Sequence, residues 1–127
     1  FYEERIMKKI ISIGTGLLLL STSVFADSHT AAALEHANAA VVNGADGQTQ
    51  LLLEQTKAAL KHTLAASKEA KSVPKIHLDA AAKELHEANE LGNLGHIGSA
   101  TTHAEAALKH IEMGNRYIGY NKNNQQH

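Results

Sequence analysis

The chain has 127 residues, with 12 Lys+Arg against 13 Asp+Glu and a formal net charge of −1. That is one small domain without the basic surplus that nucleic-acid binding uses. There is no Cys, which excludes disulfides, thiolate nucleophiles, Cys-type zinc sites, iron–sulfur clusters and covalently attached haem, whereas His occurs nine times.

Residues 1–6 read as upstream in-frame sequence. Residues 7–26 read as a secretory signal, with Lys8 and Lys9 as the positive region and Ile10 to Leu20 as the apolar run. Val24-Phe25-Ala26 forms a small-x-small site, predicting cleavage after Ala26 and a periplasmic location. The apolar run is shorter than the roughly 20 residues of a spanning helix, so no stable membrane insertion is expected once the signal is removed.

Four helices are predicted over 27–118. Ser28 caps the first, which runs to about Val42, and Asn43-Gly44-Ala45-Asp46-Gly47 is a turn. The second runs from about Gln48 to Lys71, where Ser72-Val73-Pro74 breaks the chain. The third reaches Leu91, and Gly92-Asn93-Leu94-Gly95 is the next turn. The fourth runs from about His96 to Met113-Gly114, fraying towards Tyr117. A polar tail over 119–127 is expected to be disordered.

A shift of 48 residues lays Gly44 on Gly92, Gly47 on Gly95 and His29 on His77. It also superposes Ala58-Ala59-Leu60-Lys61-His62 on Ala106-Ala107-Leu108-Lys109-His110, identical at all five positions. The repeat is a helical hairpin with one apolar stripe, rich in Ala. Two copies bury their stripes best against each other, which predicts an all-α, up-down-up-down four-helix bundle with a thin core.

In the fourth helix Ile97, Ala104 and Ile111 mark the core stripe, and His96, His103 and His110 run beside it at the same spacing of seven. The first repeat carries Gln48, Gln55 and His62 in that row. Seven residues span about 10.5 Å, too far for two imidazoles to share an ion, so any site must join neighbouring helices. Centring each turn on its glycines makes facing residues sum to about 91 in the first hairpin and 187 in the second. His29 is then level with His62, His77 with His110 and Glu84 with His103, while His36 faces Gln55. His29, His62, His77 and His110 are expected to gather at one end of the bundle. On the third helix Asp79, His86 and Glu90 share a face and suggest a mixed N/O site.

The segments Ala33-Leu34-Glu35-His36-Ala37, Ala58 to His62, Thr102 to His110 and Gly95-His96-Ile97-Gly98, behind a signal peptide and without Cys, resemble the periplasmic small metal-binding protein family. The likeness runs from about Ser28 to Gly114. It implies a four-helix bundle that binds several divalent metals, copper prominently, in a sequestering or buffering role. The chain departs from the family in being poorer in His, with Gln48, Gln55 and Glu84 in rows where ligands are expected.

The metal candidates are therefore His29, His36, His62, His77, His86, His96, His103, His110, Glu84 and Glu90. Imidazole suits Cu²⁺ best, with Ni²⁺ and Zn²⁺ as further cargo. An Ala-lined core without Phe or Trp does not suit haem, and no nucleophile elbow or phosphate loop points to an enzyme. The alternative is a non-enzymatic interaction or stress module whose histidines merely border the core. No feature of the sequence identifies a protein partner.

Overall fold

The computed structural model describes residues 25–125. They form α1 (Phe25–Ala45), α2 (Thr49–Glu69), α3 (Ser72–Asn93) and α4 (Ile97–Gln125), with no strand among the described residues. Residues 1–24, with most of the predicted signal, and the tail residues 126–127 lie outside them. Phe25 and Ala26, on the signal side of the predicted cleavage, belong to α1.

The two hairpin turns are built identically. Gln48 N–H donates to Asn43 O (2.9 Å) and Gly47 N–H to Gly44 O (3.1 Å); His96 donates to Leu91 O (2.9 Å) and Gly95 to Gly92 O (3.0 Å). This 6→1 plus 5→2 pattern ends α1 and α3 and requires a left-handed residue just past each helix. Gly47 (φ +74°) and Gly95 (φ +83°) supply it. The other glycine of each turn serves packing. A Cβ on Gly44 would collide with Thr101 Oγ1 and lie 2.7 Å from Leu52 Cδ1, and one on Gly92 would lie 2.8 Å from Leu53 Cδ2.

The helices pack in the ring α1–α2–α3–α4, with a smaller diagonal contact between α2 and α4 and no comparably close approach of α1 to α3. The interior is mostly alanine. Ala33, Ala37, Ala59, Ala81 and Ala107 are fully buried with Leu85 and Ile111, and Ala40, Ala88 and Ala104 form the next layer. Methyl groups allow close helix approach but remove little surface from water each. The few larger buried side chains, Leu52, Leu78, Leu85 and Ile111, therefore carry most of the apolar stabilisation, at about 1.5–3 kcal/mol apiece.

The duplication is not strict inside. Thr30 and Thr63 are buried where the second hairpin has Leu78 and Ile111. Thr56 donates to Asn89 Oδ1 (2.5 Å) across the α2–α3 seam, at positions that a shift of 48 maps onto Ala104 and Val41.

The α2–α3 link is shorter than the three-residue break expected at 72–74. Ser72 (φ +58°) opens α3, so Pro74 lies in its first turn, where a missing N–H is harmless. Ser67 donates to Asp79, and Lys75 Nζ reaches Ser67 Oγ (3.1 Å) and Asp79 Oδ2 (3.4 Å), tying the end of α2 to the start of α3.

The far end of α4 corrects the sequence expectation. The helix continues to Gln125, where a disordered tail was expected from 119. Polar residues that bury nothing still form a helix when no breaker follows and the preceding turns are anchored. Ser72 faces residue 115 by the register of the second hairpin. The last ten residues of α4 thus run about 15 Å beyond the start of α3.

Candidate metal centre

The hairpin register brings imidazoles into contact. The Nδ1 atoms of His29 (α1) and His62 (α2) stand 3.0 Å apart, with ring centroids at 5.3 Å. Those of His77 (α3) and His110 (α4) stand 3.3 Å apart, with centroids at 5.5 Å. All four rings are half-buried, on rows flanking the core. Each pair is held by one N–H donating to the facing lone pair, so a single proton occupies the space between two nitrogen donors. Two nitrogens bound to one ion at about 2.0–2.1 Å are about 2.9 Å apart at a right angle and about 3.3 Å at the tetrahedral angle. Both pairs already have the span that one divalent ion requires.

Two helical turns nearer the loops, the rungs change chemistry. His36 Nδ1 meets Gln55 Oε1 at 2.7 Å, and His103 Nδ1 meets Glu84 Oε2 at 2.6 Å. An oxygen acceptor at this distance fixes the proton on Nδ1 and leaves the Nε2 lone pair unprotonated in the neutral ring. Glu84, itself a candidate ligand, accepts from the ring of another candidate, His103. His36 also stacks on His62, with centroids 5.7 Å apart and planes 4° from parallel, so the first hairpin brings three imidazoles together.

The pKa of His62 is lowered from the usual imidazole value. Burial is the first cause, because it penalises the cation, and the charges of His29, His36 and Lys61 add to it. The neutral form, the one that ligates metal, is thereby favoured.

The candidate ligands do not converge on one site. The four paired histidines occupy corresponding places in their hairpins but do not form one cluster: the α1–α2 and α3–α4 seams lie on opposite sides of the ring. The mixed site on α3 is not assembled, since Asp79 is engaged by Ser67 and Lys75 while His86 and Glu90 form an exposed i,i+4 pair at 3.2 Å. His96 lies exposed where α4 begins, and among the described residues no partner for its ring is found. No group of three or more His, Asp or Glu among the described residues is placed to hold a metal ion.

Tyr117 was absent from the candidates. It stacks on His77, with centroids 5.9 Å apart and planes 8° from parallel. The signal was present, because Tyr117 is the next member of the row His96, His103, His110. An aromatic ring at that spacing lies over the same groove.

A model of the family described as "Small metal-binding protein" matches residues 4–114. No curated protein matches the chain. The matched region contains every paired histidine and ends before Tyr117 and the projecting part of α4.

Proposed function

The chain belongs to the small metal-binding protein family, and we propose that it sequesters and buffers divalent transition metals in the periplasm, Cu²⁺ first, then Ni²⁺ and Zn²⁺. The observation that carries this reading is the pair of imidazole–imidazole rungs at 3.0 and 3.3 Å. On binding, the ring whose Nδ1–H bridges the pair passes that proton through solvent to its own Nε2, so that both Nδ1 lone pairs face the ion, both rings stay neutral with Nε2 protonated, and no net proton is released. Two protein nitrogens leave the remaining coordination positions to water. That suits a cargo that is taken up and released, and a preference following the general order of affinity for nitrogen donors supports Cu²⁺.

We assign the ion the role of cargo and the protein no reaction. The rungs are half-exposed on outer seams, not enclosed in an apolar, water-excluding pocket with a positioned base. The chain's candidate signal peptide supports the periplasmic assignment.

The test is a titration of metal-free protein with Cu²⁺, Ni²⁺ and Zn²⁺, following heat and melting temperature together. At a free ion concentration about a hundredfold above Kd, one site adds about 2.7 kcal/mol, a rise of roughly 10–20 °C for a domain of this size. His62→Ala combined with His110→Ala removes the strong binding. No heat and no shift in the folded protein reject metal sequestration and leave a structural or interaction bundle.

A further inference from the structure

Charge is distributed unevenly along the bundle, whereas exposed apolar side chains stand at both ends, Leu94 and Val42 at the turns among them. Between the Gln55 and Glu84 rungs and the two turns stand Asp46, Glu54, Glu87 and Glu90, with no Lys or Arg. Beyond the His–His rungs, at the opposite end, stand Lys68, Lys71, Lys75, Arg116 and Lys122 against Asp27, Glu69 and Glu112. The same basic end exposes apolar side chains. Met113, Arg116, Tyr117 and Tyr120 line one groove there, and Val73, Pro74, Tyr117 and Tyr120 line a second that shares both tyrosines. Tyr120 is 64% exposed, Tyr117 42% and Val73 40%.

The start of α1 is also at this end, because α1 and α3 run parallel. The sequence that precedes it contains the apolar run Ile10 to Leu20.

From these placements we infer that the basic end of the bundle is a docking face for an anionic lipid surface. Tyrosine side chains carry an apolar body and a polar tip, the combination favoured at headgroup depth. Lys and Arg around them gain about 1 kcal/mol each near an anionic leaflet, while the carboxylates at the turns are held a bundle's length away from it. The binding is peripheral, since no described helix is long and apolar enough to cross a membrane. The inference does not rest on the metal reading, although Tyr117, which lines both grooves, also stacks on His77.

The experiment is co-sedimentation of a chain beginning at Phe25, which carries all four helices and the whole described core, with phosphatidylglycerol and with phosphatidylcholine vesicles. It is run at low salt in chelator, with circular dichroism verifying the fold of each variant. Binding to phosphatidylglycerol, weak binding to phosphatidylcholine and release by added salt are expected. Lys71→Gln with Arg116→Gln should weaken it about thirtyfold, from about 1 kcal/mol per cation. Tyr120→Ser should weaken it too, whereas Glu87→Gln with Glu90→Gln at the far end should not. Two results overturn the inference: no sedimentation of the folded chain with anionic vesicles, or a mass that rises with concentration without lipid and falls with Tyr120→Ser. The second would make another copy of the chain the occupant of the face.

Discussion

His29 and His62 are 33 residues apart in sequence, yet their Nδ1 atoms stand 3.0 Å apart across the α1–α2 seam. His77 and His110 repeat the arrangement at the same separation in the second hairpin. The ladder is a property of one hairpin, used twice.

Because the two pairs lie on opposite seams, they should titrate independently. His29→Ala should remove one equivalent of tightly bound Cu²⁺ and leave the other with unchanged affinity; His77→Ala should do the converse. Calorimetry on the single variants checks this. Loss of both equivalents from one substitution would show the pairs to be a single site.

The second rungs predict an unusual tautomer. In their neutral forms His36 and His103 should carry the proton on Nδ1, because Gln55 and Glu84 accept it there at 2.7 and 2.6 Å. Long-range ¹⁵N–¹H correlation spectra read the tautomer directly. Glu84→Ala should return His103 towards the Nε2–H form without affecting His36.

Acid should destabilise the metal-free protein through His62. Its folded pKa lies below the unfolded value of 6.5. Between those two values the unfolded chain therefore binds more protons, and stability rises with pH. The full contribution is present above about pH 6.5 and is lost as pH falls through the folded pKa. Melting temperature measured from about pH 8 to about pH 5 should decline on the acid side, with a shallower decline in His62→Gln. A melting temperature that climbs on acidification would contradict the direction of the shift.

Three of the turn glycines should fail in two ways. Gly47→Ala and Gly95→Ala force a left-handed conformation on a residue with a Cβ, at about 1–2 kcal/mol each. Gly44→Ala meets Thr101, whose hydroxyl is tied to Ile97 O at 2.7 Å and so yields poorly. Overpacking there costs about 1–3 kcal/mol. Thermal melts check both effects, the cost at 47 and 95 being conformational, since a Cβ there meets nothing within 4 Å, and the cost at 44 being a collision.

Inside, Asn89→Ala should cost about 0.5–1.5 kcal/mol, since the Thr56 hydroxyl loses Asn89 Oδ1 but keeps Leu53 O within reach at 3.1 Å. Combining Asn89→Val with Thr56→Ala copies the Val41 and Ala104 composition of the other seam and should recover most of the loss. Denaturant melts of the two variants provide the comparison.

Much of this was legible in the sequence. The glycine pairs fixed the centre of each turn, and antiparallel helices make facing residue numbers sum to a constant. All four rungs followed, including His36 opposite Gln55. The same sum rule gives position along the bundle but not the side of it, and for that reason the two His–His pairs were expected together when they lie on opposite seams. The part Glu84 plays beside His103 was not legible, because a carboxylate next to an imidazole serves equally as ligand or as orienter; the structure places it 2.6 Å from Nδ1. The extension of α4 was missed because Asn, Lys and Gln at a chain end read as tail; nothing in such a sequence records that the preceding turns are already fixed.

The duplicated 6→1 and 5→2 turns also act as gauges. Every rung in a hairpin is set by the number of residues between its two glycines. One residue inserted between Gly44 and Gly47 would carry His62 and Gln55 about 100° around α2 relative to α1 and uncouple both rungs together, while the second hairpin kept its own. The binding capacity of each hairpin is thus written in the length of a loop that touches no ligand, and the two hairpins are free to diverge by loop length alone.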